Sequence, residues 1–163
     1  MAINYEGRVA VITGAGAGLG RSHALFLAKH GAKVVVNDLG GTVEGKGGSN
    51  SAADAVVKEI RDAGGIAVAN YDSVADEQSA KNIIQTALNE YGQIDILVNN
   101  AGNNIEDSFR KMSMDDFRAV VDVHLMGAVY CTQAAWQPMI DQGYGRIIMT
   151  TSAAGLYGGH GLS

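Results

Sequence analysis

The sequence predicts an α/β fold in which helices pack on both faces of a doubly wound parallel sheet, a three-layer α/β/α arrangement. Two observations predict this class. Short runs of β-branched residues alternate with longer segments in which apolar residues recur three and four positions apart. Nearly every position of the short runs is apolar, as strands buried on both faces require. At 163 residues, 47% of them hydrophobic, the chain has the size of one domain, expected to span 1–163.

Five runs are predicted strands, and the predicted helices lie between them. The strands are Val9–Thr13, Lys33–Asn37, Ile66–Tyr71, Ile94–Asn99 and Arg146–Thr151. The longest helix is predicted to begin near Met114 and to carry one apolar face, formed by Phe117, Val120, Val121, Leu125 and Ala128. Parallel strands joined by helices require right-handed crossovers.

Composition and charge exclude several kinds of partner. The 12 basic and 17 acidic residues give a net charge of −5, without a basic cluster dense enough to follow a nucleic-acid backbone. No apolar run reaches the roughly 18 residues of a membrane span, so no membrane association is expected. The single cysteine, Cys131, excludes a disulfide framework and is interpreted as a small buried hydrophobe. These features and the absence of an apolar signal segment predict a cytoplasmic location, and no histidine spacing suggests a metal site.

A glycine-rich turn follows the first predicted strand and precedes the first predicted helix. Its sequence is Thr-Gly-Ala-Gly-Ala-Gly-Leu-Gly over residues 13–20. Glycines let the backbone approach a pyrophosphate, and the following helix offers unpaired amides and the positive end of its dipole. Gly14, Gly18, Leu19 and Gly20 are therefore candidate cofactor-binding residues, although a turn of this composition can also be purely structural.

A second glycine-rich segment, residues 40–51, partly matches a phosphate-binding P-loop through Gly40, Gly45 and Lys46. Gly47 stands where a serine or threonine would hold magnesium, and the segment follows the second strand instead of the first. A surface loop is preferred over a nucleotide-triphosphatase site.

Asp38 directly follows the second predicted strand, 18 positions beyond Gly20. A carboxylate at this place accepts hydrogen bonds from both hydroxyls of an adenosine ribose and repels a 2′-phosphate. Ala15, Ala17 and Leu39 offer no basic side chain that would attract such a phosphate. The pattern favours NAD over NADP as the cofactor, and a solvated loop carboxylate is the alternative.

Three segments together resemble the short-chain dehydrogenase/reductase family, over essentially the whole chain. They are the TGxxxGxG turn at 13–20, Asn-Asn-Ala-Gly at 99–102 and Arg-Ile-Ile-Met-Thr-Thr-Ser-Ala-Ala-Gly at 146–155. The resemblance implies a Rossmann-type sheet and NAD-dependent hydride transfer at a secondary alcohol or ketone.

The same resemblance implies further contacts with the cofactor. In the family, asparagine of the second segment stabilises the sheet, and small residues beside it leave room for the cofactor. The position after the third strand contacts adenine. The additional candidates are Asn100, Gly102, Asp72, Ser73 and Val74. Asp72 has a second interpretation, as the cap of a helix that begins near Ala75.

The resemblance implies that Ser152 hydrogen-bonds the substrate carbonyl or hydroxyl. The family's usual asparagine on the long helix is replaced by His124, which is expected near the buried face. His124 is either a core histidine or a participant in proton transfer, and its backbone can still support the family's water relay. The family's tyrosine and lysine would fall just beyond Ser163, and Tyr157 lies too close to Ser152 to replace that tyrosine. The chain as written is therefore expected to be inactive alone.

Shorter matches narrow the resemblance to the (3R)-hydroxyacyl-CoA dehydrogenases of peroxisomal multifunctional enzymes and their bacterial relatives. These matches lie at 36–41, 70–74, 123–125 and 135–136. The implied partner is a small-molecule substrate, a (3R)-3-hydroxyacyl-CoA, and complete members are expected to be homo-oligomers. Because the family's last strands are missing, we expect a sheet incomplete at its C-terminal edge and an exposed apolar face. The alternatives are a non-catalytic nucleotide-binding module and a methyltransferase, which would not explain residues 99–102.

Overall fold

The predicted parallel sheet is present in the computed structural model, which describes residues 3–41 and 51–158. Its strands are β1 (Val9–Thr13), β2 (Lys33–Asn37), β3 (Ile66–Asn70), β4 (Ile96–Asn99) and β5 (Arg146–Met149). All pair in parallel, in the order β3-β2-β1-β4-β5. Thr13 is aligned with Asn37, and Asn37 with Asn70, so three strands end at the same level. The loops that follow them share one edge of the sheet.

Helices cover both faces of the sheet, which confirms the three-layer fold. They are α1 (Gly18–Lys29), α2 (Ser51–Asp62), α3 (Glu77–Tyr91), α4 (Met114–Val121), α5 (Gly127–Asp141) and α6 (Ala154–Tyr157). Along β1, Ala10 and Ile12 belong to the core under α1 and α2, whereas Val9 and Val11 belong to the core under α3 and α5. This alternation follows from the period of two in a strand. Burial on both faces explains why β1 is almost entirely apolar.

The long helix departs from the prediction in its middle, where a π-helical turn at Asp122–Met126 joins α4 to α5. Phe117 is 38% exposed and Leu125 is 59% exposed, so this apolar face is open in the described chain, in agreement with the expected exposed apolar face. A π turn inserts one residue into the helical repeat, so the apolar face of α4 and the buried face of α5 point in different directions. The buried residues of α5 are Gly127, Cys131, Ala135 and Met139.

The start of β4 lies two residues later than predicted because Asp95 takes a different role. Asp95 is only 2% exposed. Its carboxylate accepts hydrogen bonds from the backbone of Val9 (2.8 Å) and from the guanidinium of Arg8 (2.7 Å). A buried charge requires such partners, and here they fasten β4 to β1 at the end of the sheet opposite the glycine turn.

The outer surface of α5 and the last strand are apolar and exposed. β5 is an edge strand of the described sheet, and Trp136, Ile148 and Met149 each expose about half of their surface. This agrees with the expected open edge. Within residues 3–41 and 51–158, no helix has both the length and the apolar character needed to cross a membrane.

Candidate functional site

A cleft of about 530 Å³ opens at the carboxyl ends of the central strands, and we call it the strand-end cleft. The chain passes from β1 to β2 on one side and enters β4, on the other side of β1, after β3. Ligands of open α/β sheets bind at such a reversal of strand order. The predicted cofactor residues that line the cleft are Gly14, Asp38, Asp72, Ser73, Val74, Asn100 and Gly102. The predicted residues Gly18, Leu19 and Gly20 lie outside its lining.

The glycine turn leads directly into α1, which begins at Gly18. The residue before it, Ala17, provides no side-chain cap, and no acidic residue lies in the first turn of the helix. Within residues 3–41 and 51–158, the cap position therefore offers the first amides of α1 no side-chain acceptor, and no acidic side chain of the first turn neutralises the positive end of the helix dipole. An anion such as a phosphate fits this end of the helix.

Gly20 lets the turn and β4 approach one another closely. A methyl group at this position would overlap the carbonyl oxygen of Gly14 and would press on the side-chain amide of Asn100. The sequence predicted that Gly20 leaves space for a cofactor. In the structure, the absence of a side chain at Gly20 leaves space for the carbonyl of Gly14 and the side chain of Asn100.

Thr13 and Asn100 connect the turn to the end of β4. The hydroxyl oxygen of Thr13 accepts hydrogen bonds from the backbone amides of Asn100 and Ala101, both at 3.0 Å. The side-chain amide of Asn100 donates in return to the carbonyls of Thr13 (2.9 Å) and Gly14 (3.1 Å). This reciprocal set fixes the wall of the strand-end cleft. Thr13 was not among the predicted site residues, although a polar residue at the end of an apolar strand is a signal that could have identified it.

The carboxylate of Asp38 is already held by backbone amides. Its Oδ2 accepts a hydrogen bond from Gly16 and its Oδ1 one from Gly40, both at 2.7 Å. Each carboxylate oxygen has a second lone pair for a further donor. The half-buried carboxylate therefore lies beside the glycine turn and lines the cleft, as the prediction required.

A buried network of asparagines supports the other side of the cleft. The side chain of Asn37 donates to Asn70 (2.8 Å) and to the carbonyl of Asp72 (2.9 Å). Asn70 donates to the carboxylate of Asp72 (2.8 Å). The two asparagines, which were not among the predicted site residues, fix the backbone and the carboxylate of Asp72.

The alternative role of Asp72 as a helix cap is wrong. Helix α3 begins at Glu77, and its cap is Asp76, whose carboxylate accepts a hydrogen bond from the amide of Ser79 at 2.8 Å. The same backbone hydrogen bond lowers the pKa of Asp76 below its ordinary value. Asp72 therefore does not cap α3, and it lines the cleft.

His124 lies in the π-helical turn and is exposed, so its expected position near the buried face is wrong. The additional residue of the π turn changes the direction of the side chain. Its Nε2 lies 2.7 Å from the carbonyl oxygen of Asn103 and 3.1 Å from the amide nitrogen of the same residue. A methyl group on Gly102 would lie 2.7 Å from the ring of His124. Gly102 therefore accommodates this ring as well as lining the cleft.

Ser152 lies apart from the strand-end cleft. Strand β5 ends at Met149, and Ser152 is exposed in the segment that follows. Its hydroxyl oxygen accepts a hydrogen bond from the amide of Ala154 at 3.2 Å, as in a serine turn before α6. Neither Ser152 nor His124 belongs to the lining of the cleft. The structure thus brings seven of the ten predicted cofactor residues together in the lining of the cleft, and Ser152 and His124 lie outside that lining.

The charges around the cleft are acidic. Asp38, Asp72 and Asp122 line it, and its described lining contains no lysine or arginine. Cys131 is buried, and burial raises the pKa of its thiol to about 12, so it supplies no thiolate. Among residues 3–41 and 51–158 no group of His, Cys, Asp and Glu side chains could hold a metal ion.

Comparisons with known proteins identify what this arrangement is similar to. Residues 8–163 match the family model described as short chain dehydrogenase. The chain is 58% identical to the peroxisomal multifunctional enzyme type 2 of Drosophila melanogaster, over 98% of this chain and 26% of the relative. It is 55% identical to the peroxisomal hydratase-dehydrogenase-epimerase of Saccharomyces cerevisiae, over 98% of this chain and 17% of the relative. The chain thus spans 26% and 17% of the length of these two curated relatives.

A solved structure shows the same fold with a nicotinamide cofactor. The 7α-hydroxysteroid dehydrogenase complexed with NADH and 7-oxo glycochenodeoxycholic acid matches with a TM-score of 0.88 and 34% identity. The match covers 98% of this chain and 58% of that chain. The resemblance stated from the sequence motifs is therefore confirmed.

The expected cytoplasmic location is wrong, because both curated relatives are named as peroxisomal enzymes. A low cysteine count and the absence of an apolar N-terminal segment do not distinguish the two compartments. The tripeptide that directs proteins to peroxisomes is a short C-terminal address read by a receptor. Such an address leaves no mark on the composition of a chain.

Proposed function

The chain belongs to the short-chain dehydrogenase family, and on this premise we propose that it is an NAD-dependent oxidoreductase acting on a secondary alcohol or ketone. The observation that carries the proposal is the position of Asp38, a carboxylate at the end of β2 that lines the cleft beside the glycine turn. When bound, NAD supplies the hydride acceptor for oxidation of the alcohol.

The residues of the cleft fit a dinucleotide in a defined order. The N-terminus of α1 suits the pyrophosphate, because its cap residue, Ala17, offers the first amides no side-chain acceptor. Asp38 would accept the ribose hydroxyls, and Asp72, Ser73 and Val74 would contact the adenine. Asn100 and Gly102 would border the path towards the nicotinamide. This order rests on the lining of the cleft and on the family's pattern.

The choice of NAD over NADP rests on charge. A 2′-phosphate beside Asp38 would meet a carboxylate, and the described lining of the cleft holds two further carboxylates and no lysine or arginine. The negative charge of the Asp38 carboxylate would repel the 2′-phosphate of NADP. The two ribose hydroxyls of NAD can instead donate hydrogen bonds to the carboxylate.

The proposed substrate is a (3R)-3-hydroxyacyl-CoA, oxidised to the 3-ketoacyl-CoA. Support comes from the multifunctional and hydratase-dehydrogenase-epimerase relatives, of which this chain matches one part. Ser152 would hydrogen-bond the reacting oxygen of the substrate, and His124 would support proton transfer through its backbone. Complete proteins of this kind are proposed to act as homo-oligomers.

A polypeptide of these 163 residues alone is proposed to bind NAD without appreciable turnover. Ser152 and His124 do not line the cleft, and a positioned general base contributes roughly 10² to 10⁴ in rate. This separation also favours the second candidate function, a nucleotide-binding module without catalysis.

The experiment is a calorimetric titration of the chain with NADH and with NADPH, followed by an absorbance assay with (3R)- and (3S)-3-hydroxyacyl-CoA. Asp38→Ala should weaken NADH binding by about tenfold to hundredfold, since hydrogen bonds to a charged group contribute roughly 1.5 to 3 kcal/mol. Asp62→Ala, which removes an exposed carboxylate of α2, is the matched control and should bind as the wild type does. A preference for NADPH contradicts the cofactor assignment, and turnover by the 163-residue chain contradicts the proposed inactivity.

A further inference from the structure

The position of the Asp38 carboxylate is set by the backbone on both sides. Gly16, within the glycine turn, donates to Oδ2, and Gly40, after β2, donates to Oδ1. Hydrogen bonds between an amide and a charged oxygen are stronger than those between neutral groups. Two such bonds, one on each oxygen, fix the orientation of the carboxylate before any ligand arrives.

Gly16 has no space for a side chain. A methyl group built there would lie 2.7 Å from Oδ2 of Asp38 and 2.7 Å from Cβ of Ala52 in α2. The φ angle of Gly16 is not among the positive values found at other glycines of the chain, so its backbone conformation does not by itself require glycine. The requirement for glycine therefore comes from the close approach of Asp38 and α2.

We propose that Gly16 is a positioning residue that determines cofactor choice: its small size and its amide hold the Asp38 carboxylate where it accepts ribose hydroxyls and repels a 2′-phosphate. The inference rests on the proposed NAD site. The glycine turn then has two separate tasks, since the amide of Gly16 serves the carboxylate and the amides at the start of α1 remain for the pyrophosphate.

The physical reason is that discrimination between NAD and NADP depends on the position of the Asp38 carboxylate. A carboxylate fixed beside the turn acts over a short distance in a partly desolvated cleft, where Coulomb interactions are strong. A carboxylate displaced towards solvent is screened by water and salt. Such a displaced carboxylate accepts weaker hydrogen bonds from the ribose hydroxyls than the fixed one does. It also repels a 2′-phosphate less.

The test is a double-mutant cycle read on two ligands. Gly16→Ala should weaken NADH binding by about tenfold to hundredfold, the effect of losing hydrogen bonds to a charged acceptor, and should bring the NADH to NADPH affinity ratio towards one. Gly16→Ala combined with Asp38→Ala should bind NADH no more weakly than Asp38→Ala alone. Additive losses, or an equal loss for NADH and NADPH, would show that Gly16 serves only the backbone of the turn and would overturn the inference.

Further variants distinguish the effect of a displaced Asp38 carboxylate from the effect of the contact between residue 16 and helix α2. Ala52→Gly, added to Gly16→Ala, removes the contact with α2 and should leave the loss of discrimination unchanged. Recovery of wild-type discrimination would assign the effect to α2 and overturn the proposal. Gly155→Ala is the matched control, because a methyl group there meets open space and the backbone of Gly155 is not in the left-handed region.

A second measurement does not depend on the folding of a glycine variant. In the NMR spectrum of the wild type, the Gly16 amide proton should resonate downfield, and Asp38→Ala should move it upfield. If the Gly16 resonance does not move, the hydrogen bond from Gly16 to Asp38 is absent and the inference is wrong. If the wild type binds neither nucleotide, the proposed function fails while the Gly16 resonance still reports on the inference. If the wild type prefers NADH and the Gly16 variants match it, the inference fails alone.

Discussion

Thr13→Val is the substitution that most directly tests the architecture of the cleft wall. Valine has nearly the shape of threonine, so the packing at the end of β1 is retained. The hydroxyl oxygen is lost, and with it the acceptor of the two backbone amides of Asn100 and Ala101. Thr13 is 1% exposed, so water cannot easily replace that oxygen.

The magnitude follows from these two amides. A buried donor left without an acceptor costs about 1 to 3 kcal/mol. Two donors that lose their shared acceptor should therefore lower the free energy of unfolding by about 2 to 6 kcal/mol. For a chain of this size, this corresponds to a fall in Tm of roughly 5 to 25 °C.

The assay is urea denaturation followed by circular dichroism, with the m-value compared between variants. Thr151→Val, at an exposed threonine, is the control and should stay within about 0.5 kcal/mol of the wild type. A loss for Thr13→Val no larger than that of the control would refute the reasoning, because the hydroxyl would then not be the acceptor that holds β4 to the turn.

Three further predictions concern single contacts. Gly102→Ala should move the ring of His124 away from Asn103 and lower the free energy of unfolding by about 1 kcal/mol, and in a His124→Ala background, where that contact is already absent, the same substitution should have little further effect in the same denaturation assay. Because the amide of Ser79 lowers the pKa of Asp76, this carboxylate stabilises the folded chain above its ordinary pKa of 3.8, and the contribution is lost as the pH falls through the lowered value. Asp76→Ala should therefore unfold at lower urea than the wild type at pH 7, with a difference that narrows below pH 3.8, whereas a difference independent of pH contradicts the capping role. The thiol of Cys131, with its pKa raised to about 12 by burial, should react with a thiol reagent only after unfolding, and rapid labelling of the folded chain would contradict its burial.

The strands could be predicted closely because their signal is local. β1 and β2 have the predicted bounds, and β3 is one residue shorter than predicted. An apolar run bounded by glycine or polar residues is sufficient to identify a strand buried on both faces. The strand ends were less accurate where a side chain had a distant partner, as Asp95 has in Arg8.

The sequence also predicted which residues lie together at the carboxyl ends of the strands, whereas their contact with a cofactor stays a prediction. The glycine turn and Asp38 adjoin consecutive strands of the sequence, and parallel strands in register bring their carboxyl ends to one edge. The orientation of His124 could not be predicted in the same way, because it depends on a π-helical turn that the helical period of the sequence does not indicate. The catalytic roles of His124 and Ser152 stay predictions.

The sequence by itself determined the layered fold, the glycine turn and the carboxylate at the end of β2, because each depends on neighbours along the chain. Only the tertiary structure decided what supports them. Thr13 and Asn100 are 87 positions apart, and they meet because β1 and β4 are adjacent in the sheet. Strand order results from non-local packing of both cores, and hydrogen bonds between strand ends cannot be inferred before that order is known.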